Sequence, residues 1–241
     1  MHLLLARHGQ SYVNLDDWED GYIDIGLTPL GQQQAERLGQ WVAGNLRVDA
    51  LYTSTMARSL ETAAYLSQAT GMAAQPDDRL REFGNCYADG TAVPPEAMPI
   101  QYADFWGTER PHTRISAQGE SWILFRARVG GFLDDVIETY GHQEPETTVI
   151  VVCHGGVIDV AFDCIYNVGI QRQVEVLVHN TGIVHWEYRP DSVRESWRLH
   201  AHGLVHHLVG AEGEWLGSRA LMRDAGRQAI PFEGEPPAHG D

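Results

Sequence analysis

Two apolar runs in this chain stop in the same way. Leu3-Leu4-Leu5-Ala6 runs into Arg7-His8-Gly9, and Thr148-Val149-Ile150-Val151-Val152-Cys153 runs into His154-Gly155-Gly156. Apolar runs without polar alternation belong to strands buried on both faces, which is the habit of parallel sheets. A chain with two such strands is constrained to an α/β fold with helices covering the sheet. In open α/β sheets ligands are met beyond the carboxyl ends of the strands. Arg7, His8 and His154 are therefore expected at one rim of the sheet, with Gly9 allowing close backbone approach.

The rest of the chain supplies a third junction of this kind. Thr28-Pro29 reads as a helix start, with a hydroxyl cap and proline at the first helical position. Leu30, Leu38, Trp41, Val42 and Leu46 then recur at helical spacing. Asp49 to Thr53 reads as a strand, and Ser54 or Thr55 as the cap of a helix running to Ala69 and closed by Gly71. Arg58 falls in the first turn of that helix. Residues 76–119 read as irregular, with an insertion over 86–118 that is proline-rich and aromatic, as a lid or surface excursion would be. Ser121 to Tyr140 reads as a long amphipathic helix despite Gly130-Gly131, which cost about 1 kcal/mol each against alanine. A helix is expected from Val157 to Tyr166, and strands at Val174–Val178, Gly182–Tyr188 and Ser196–Ala201. One domain over residues 1–209 is expected, followed by a Gly- and Pro-rich extension over 210–241 that would pack on a neighbour, which leaves a homodimer open.

Charge narrows the partners. Asp and Glu number 33 against 17 Lys and Arg, giving a formal charge of −16. Nucleic acid and anionic membranes both reward a basic surface, so neither is an expected partner. Cys86, Cys153 and Cys164 form no metal spacing and no paired framework, which suits a reducing cytoplasm. The Met1–Ala6 run is too short for a signal peptide, and no stretch approaches the ~20 apolar residues of a membrane span. Any anion site must be a local cationic patch in an acidic shell.

Arg7, His8, Arg58 and His154 make such a patch. Arginine forks match phosphate oxygens, and the helix beginning at Gly155-Gly156 offers free N–H groups and the positive end of its dipole. The order of the motifs resembles the histidine phosphatase superfamily, in the branch shared by cofactor-dependent phosphoglycerate mutases and broad-specificity phosphatases. The resembling residues are Arg7-His8-Gly9-Gln10-Ser11 with Asn14, then Gly21, Asp24, Leu27, Thr28 and Gly31. Ser54-Thr55-Met56-Ala57-Arg58 with Glu61-Thr62-Ala63 follows, then Gly119-Glu120-Ser121, Val152 to Gly156, and Asn180-Thr181. The resemblance covers Leu3 to about Leu208.

It implies a three-layer α/β sandwich with a mostly parallel central sheet, and a phosphatase in which His8 attacks phosphorus and becomes a phosphohistidine. Arg7, Arg58, His154, Asn14 and Gly155 would hold the phosphate oxygens. Glu82, in Leu80-Arg81-Glu82, corresponds to the proton donor of the mutase-like branch. No metal and no cofactor is implied, and the substrate is a small phosphorylated molecule.

The departures shape the alternatives. The mutase pattern after the glutamate is absent, since Phe83-Gly84-Asn85 stand there, and Trp18-Glu19-Asp20 replace the cations often found before Gly21. Fewer cations argue against a substrate with a second phosphate or a carboxylate. Cys86 and Ala88-Asp89-Gly90 depart from the usual phosphatase residues, which keeps a phosphate-binding module open beside the mutase and hydrolase readings. His200, His202, His206 and His207 are expected to alternate along a strand and its exposed end rather than bind metal.

Overall fold

The computed structural model describes residues 1–15, 24–97, 110–144, 146–171, 174–209 and 216–217. These form one sheet of six strands: β1 His2–Arg7, β2 Ala50–Ser54, β3 Ala74–Asp77, β4 Thr148–Cys153, β5 Ile183–Tyr188 and β6 Trp197–Leu204. The strand order is β3-β2-β4-β1-β5-β6. β1, β2, β3 and β4 run parallel, and β5 runs antiparallel to both of its neighbours. Four helices complete the frame: α1 Pro29–Asn45, α2 Ala57–Thr70, α3 Trp122–Tyr140 and α4 Gly155–Ile165.

The two apolar runs take the central positions, paired in register from His2 with Thr148 to Arg7 with Cys153. Alternate side chains of a strand face opposite sides, and each side finds a helical layer. Leu3, Leu5, Val149, Val151 and Cys153 pack with Phe125, Phe132, Val157 and Ile158 of α3 and α4. Leu4, Ala6, Ile150 and Val152 pack with Leu38, Val42, Ala63 and Leu66 of α1 and α2. Each large apolar side chain so buried contributes about 1.5–3 kcal/mol. The result is the three-layer sandwich expected from the sequence.

Helix ends follow their chemistry. Thr28 caps α1 by accepting from the Gly31 N–H at 3.0 Å, with Pro29 behind it. Ser121 caps α3, and Gly71, at φ 73°, closes α2. The start of α2 differs from expectation. Its cap position is Met56, and the Ala57 N–H is taken by Asp24 Oδ1 at 2.6 Å. Ser54 is turned instead toward His154.

Three other elements depart from the sequence reading. Val174–Val178 is not a strand; the Val176 N–H bonds to Asp159 Oδ1 at 2.6 Å and the Val178 carbonyl to Arg7 at 2.7 Å, so side chains satisfy this backbone in place of a ladder. The edge strand β3 was not expected, because Pro76 interrupts a short polar run; an edge tolerates a residue that cannot donate. α4 begins at Gly155, two residues before the expected Val157.

The flanks of the 86–118 insertion are tied down by bridges between Cys86 and Ala92, Tyr87 and Gly119, and Arg114 and Ser121. Its aromatic centre, with Tyr102, Phe105 and Trp106, lies outside the described residues, as do Gly21, Trp18-Glu19-Asp20 and nearly all of the 210–241 extension. Among the described residues no helix is long and apolar enough to cross a membrane.

Candidate active site

Every group singled out at a strand end arrives at the carboxyl rim of the sheet. β1 delivers Arg7 and His8, and the His8 N–H extends the ladder onto the Cys153 carbonyl of β4 at 2.9 Å. β2 leads into α2, whose first turn carries Arg58. β4 leads into α4, with His154 at its cap position.

His8 is only 3% exposed. Its Nδ1 lies 2.7 Å from the Gly9 carbonyl oxygen. A carbonyl only accepts, so Nδ1 carries the hydrogen and Nε2 keeps its lone pair. Arg58 Nε donates to that Nε2 at 3.1 Å. Burial, then Arg58 and Arg7, hold the His8 imidazole well below its ordinary value, so it is neutral. Arg58 is itself pushed down by burial to about 10 and remains a cation at neutral pH.

The His154 ring sits 5.1 Å from that of His8, centroid to centroid. Its Nε2 is shared by Ser54 Oγ at 2.8 Å and Ser59 Oγ at 3.3 Å. Its Nδ1 is buried and makes no hydrogen bond among the described residues; the same holds for Arg7 Nε. Arg7 is anchored through Nη1 on the Val178 carbonyl. Burial and then Arg58 hold His154 well below its ordinary value too.

The loop after His8 is fixed by close packing. A Cβ on Gly9 would stand 2.6 Å from the Gly31 carbonyl oxygen, so only glycine fits against the start of α1. The Gly9 N–H donates to Thr62 Oγ1 at 2.9 Å, and Thr62 in turn donates to the Arg58 carbonyl at 2.7 Å. Asn14 Oδ1 accepts from Ser11 N–H at 3.1 Å and from Asn180 Nδ2 at 3.3 Å, and Asn180 Nδ2 also reaches the His8 carbonyl at 3.1 Å. Thr181 holds a left-handed φ of 59°, unusual for a β-branched residue, while its N–H bonds to the Arg7 and His8 carbonyls.

Glu82 reaches the same rim from the loop after β3. Its Oε1 accepts from the Phe83 N–H at 2.8 Å and its Oε2 from the Gly156 N–H at 3.2 Å, in the first turn of α4. A Cβ on Gly156 would run into Glu82 Oε1, whereas one on Gly155 would meet open space. Gly155 thus has open space beside it, and Gly156 makes room for the carboxylate.

The four late histidines do not converge. His200 and His202 lie on exposed alternate positions of β6; His200 bonds Glu187 at 2.7 Å, and the buried His207 bonds Thr181 Oγ1 at 2.9 Å. Among the described residues, no group of three or more His, Cys, Asp or Glu is placed to hold a metal ion. Asp89 is exposed in a turn, accepting from Thr91; Asp104 and Glu109 lie outside the described residues. The supporting parts Ser59, Thr62 and Asn180 carried no assigned role in the sequence. The signals were adjacency for Ser59 and Thr62, one residue and one turn after Arg58, and for Asn180 its place just before β5.

The buried neutral imidazoles have a measurable consequence. Their folded-state values lie below the unfolded one of about 6.5, so between the two the unfolded chain binds more protons. Stability is therefore complete above about pH 6.5 and falls with decreasing pH, by about 1.4 kcal/mol per pH unit for each such histidine. Thermal midpoints from pH 7 to 5 should drop more steeply in the wild type than in His8→Gln or His154→Gln. Equal slopes would mean that neither imidazole is held neutral.

Comparison with known proteins gives one consistent result. The family model described as histidine phosphatase superfamily (branch 1) matches residues 3–200. A putative phosphoserine phosphatase 2 of Hydrogenobacter thermophilus is 30% identical over 77% of this chain and 89% of its own length. A glucosyl-3-phosphoglycerate phosphatase of Mycobacterium tuberculosis is 31% identical over 65% of this chain and 71% of its own. A probable phosphoglycerate mutase of Erwinia tasmaniensis is 26% identical over 86% and 95%. Among solved structures, YhfR of Bacillus stearothermophilus superposes with a TM-score of 0.66 at 23% identity, covering 86% of this chain and 98% of its own.

Proposed function

The chain belongs to the histidine phosphatase superfamily, branch 1, and is a phosphatase; we propose that it hydrolyses small phosphomonoesters through a phosphohistidine on His8. The observation that carries this reading is the state of the His8 ring. Its Nδ1–H is held by the Gly9 carbonyl and its Nε2 lone pair points to the Arg58 guanidinium. A substrate phosphate bound by Arg58 would bring phosphorus in front of that lone pair.

In the first step Nε2 attacks phosphorus, the N–P bond forms and the ester P–O bond breaks. The leaving alkoxide takes its proton from Glu82. In the second step water attacks phosphorus, gives a proton back to the Glu82 carboxylate, and inorganic phosphate leaves as the His8 lone pair returns. Charge on the transferring phosphoryl oxygens would be met by Arg7, Arg58, His154 Nδ1–H, the Asn14 amide and the Gly155 N–H that opens α4. His8, Arg58 and His154 are buried, so each is worth more than on an open surface.

Relatives named as phosphoserine and glucosyl-3-phosphoglycerate phosphatases favour a small substrate over a macromolecule. The mutase alternative, favoured by the Erwinia relative, meets an obstacle in the Phe83-Gly84-Asn85 loop. Gly84 N–H bonds Glu120 Oε1 at 2.7 Å and Asn85 Nδ2 folds back on the Glu82 and Phe83 carbonyls, so this loop is committed to its own structure. A phosphate-binding module would bind without turnover.

A turnover screen over phosphomonoesters with chelator present tests the reading. Because the Arg7 and Arg58 guanidiniums would supply the positive field and the neutral His154 imidazole an N–H donor, chelation should leave turnover unchanged. Loss of activity restored by a divalent cation would overturn the proposal. Phosphoryl transfer between phosphoglycerates without hydrolysis would favour the mutase.

A further inference from the structure

The loop that carries Glu82 is held by one buried ion pair. Arg128 on α3 and Glu120 just before it are 7% and 1% exposed in their side chains and 2.8 Å apart. Arginine has five N–H donors, and here every one is used. Nε bonds Glu120 Oε2 at 2.8 Å and Nη2 bonds Glu120 Oε1 at 2.8 Å, the parallel fork of a bidentate pair. The remaining three donors go to the main chain around the acid. Nη1 bonds the carbonyls of Arg79 at 2.8 Å and Arg81 at 2.7 Å, and Nη2 that of Glu82 itself at 3.2 Å. Glu120 Oε1 closes the grip from the other side by taking the Gly84 N–H at 2.7 Å. Gly84 sits at φ 82°, where the chain turns away. The Arg128 guanidinium also lies over the Phe125 ring, 4.6 Å from its centroid, which fixes its plane.

A buried ion pair is by itself weak evidence of a stabilising role. Well-packed apolar residues often replace one without loss, because taking two charges out of water opposes their mutual attraction. What the pair does here is geometric: it holds the carbonyls of Arg79, Arg81 and Glu82 and the N–H of Gly84, on both sides of the glutamate side chain. We propose that Arg128 and Glu120 are positioning residues for the proton transfer, holding the Glu82 backbone so that its carboxyl stands at the first turn of α4. The proposal rests on Glu82 being the proton donor. Neither Arg128 nor Glu120 touches the substrate in this scheme.

The test compares leaving groups. The double variant Arg128→Met with Glu120→Gln removes both charges, so no unpaired ion is left in the core. Arg128→Lys keeps the charge but loses the fork, and serves if the double variant does not fold. Single-turnover phosphorylation is measured with an alkyl phosphate and with p-nitrophenyl phosphate, whose phenolate leaves without a proton. A misplaced acid should slow the alkyl substrate by about 10- to 100-fold and leave the nitrophenyl substrate little changed. In a Glu82→Gln background the same substitutions should add no further loss on the alkyl substrate. Equal loss on both substrates, or a full additional loss in the Glu82→Gln background, would make the pair merely structural and overturn the proposal. Glu82→Gln alone reports on the premise: if it fails to separate the two substrates, the proton-donor assignment has failed rather than the positioning.

Discussion

His8→Ala should abolish turnover and keep the binding site. Removing a covalent nucleophile costs about 10⁴–10⁶ in rate in well-studied hydrolases, because the remaining groups can only orient and polarise. Those remaining groups are Arg7, Arg58 and His154, of which Arg7 and His154 are anchored independently of the His8 ring. Arg7 is held by the Val178 carbonyl, and His154 by Ser54 and Ser59. Arg58 loses its Nε2 acceptor in the variant, which frees a donor for an oxyanion. Phosphate or vanadate affinity, measured by calorimetry or by thermal shift, should therefore change far less than turnover. Retained turnover in a pure His8→Ala preparation would remove the nucleophile from this position.

Glu82→Gln should separate substrates by their leaving groups. A positioned general acid contributes about 10²–10⁴ in rate, and only where the departing oxygen needs a proton. Alkyl phosphates should lose that factor, while the phosphorylation step with p-nitrophenyl phosphate should be nearly spared. The same carboxylate is proposed to activate water in the second step, so the variant should show a burst of nitrophenol followed by slow turnover. The local structural cost is small. Glutamine keeps one carbonyl acceptor where the carboxylate had two, so either Phe83 N–H or Gly156 N–H loses its partner, at about 1 kcal/mol. Equal losses on both substrates in single turnover would take Glu82 out of the acid role.

Most of the fold was legible because its central strands declare themselves. Residues 3–6 and 149–153 are apolar at every position and sit in the middle of the sheet, buried on both faces. What was not legible depended on partners far away in sequence. The Ala57 N–H that opens α2 is taken by Asp24, 33 residues earlier, so the nearby hydroxyls of Ser54 and Thr55 gave the wrong signal. β3 exists because β2 offers it an edge, not because Ala74-Gln75-Pro76-Asp77 has any strand pattern. Val174–Val178 looked like a strand by composition and lost to side-chain partners at Asp159 and Arg7.

The site divides along the same line. Arg7, His8, Arg58 and His154 could be placed together because each lies at a strand's carboxyl end or in the first helical turn after it, and strand ends in a parallel sheet share one rim. Glu82 was reached only through the family resemblance, since the loop carrying it has no periodicity. Arg128 was invisible: it reads as one cation on an amphipathic helix, and its three backbone partners lie 46 to 49 residues earlier.

The central claim is that phosphorus passes through His8 Nε2. Rapid acid-free quenching of the wild type with radiolabelled substrate, followed by peptide mapping, tests it most directly. The account predicts a label that is stable in base, lost in acid, and confined to the peptide containing His8. A label that resists acid, maps to another residue or persists in His8→Ala would contradict it.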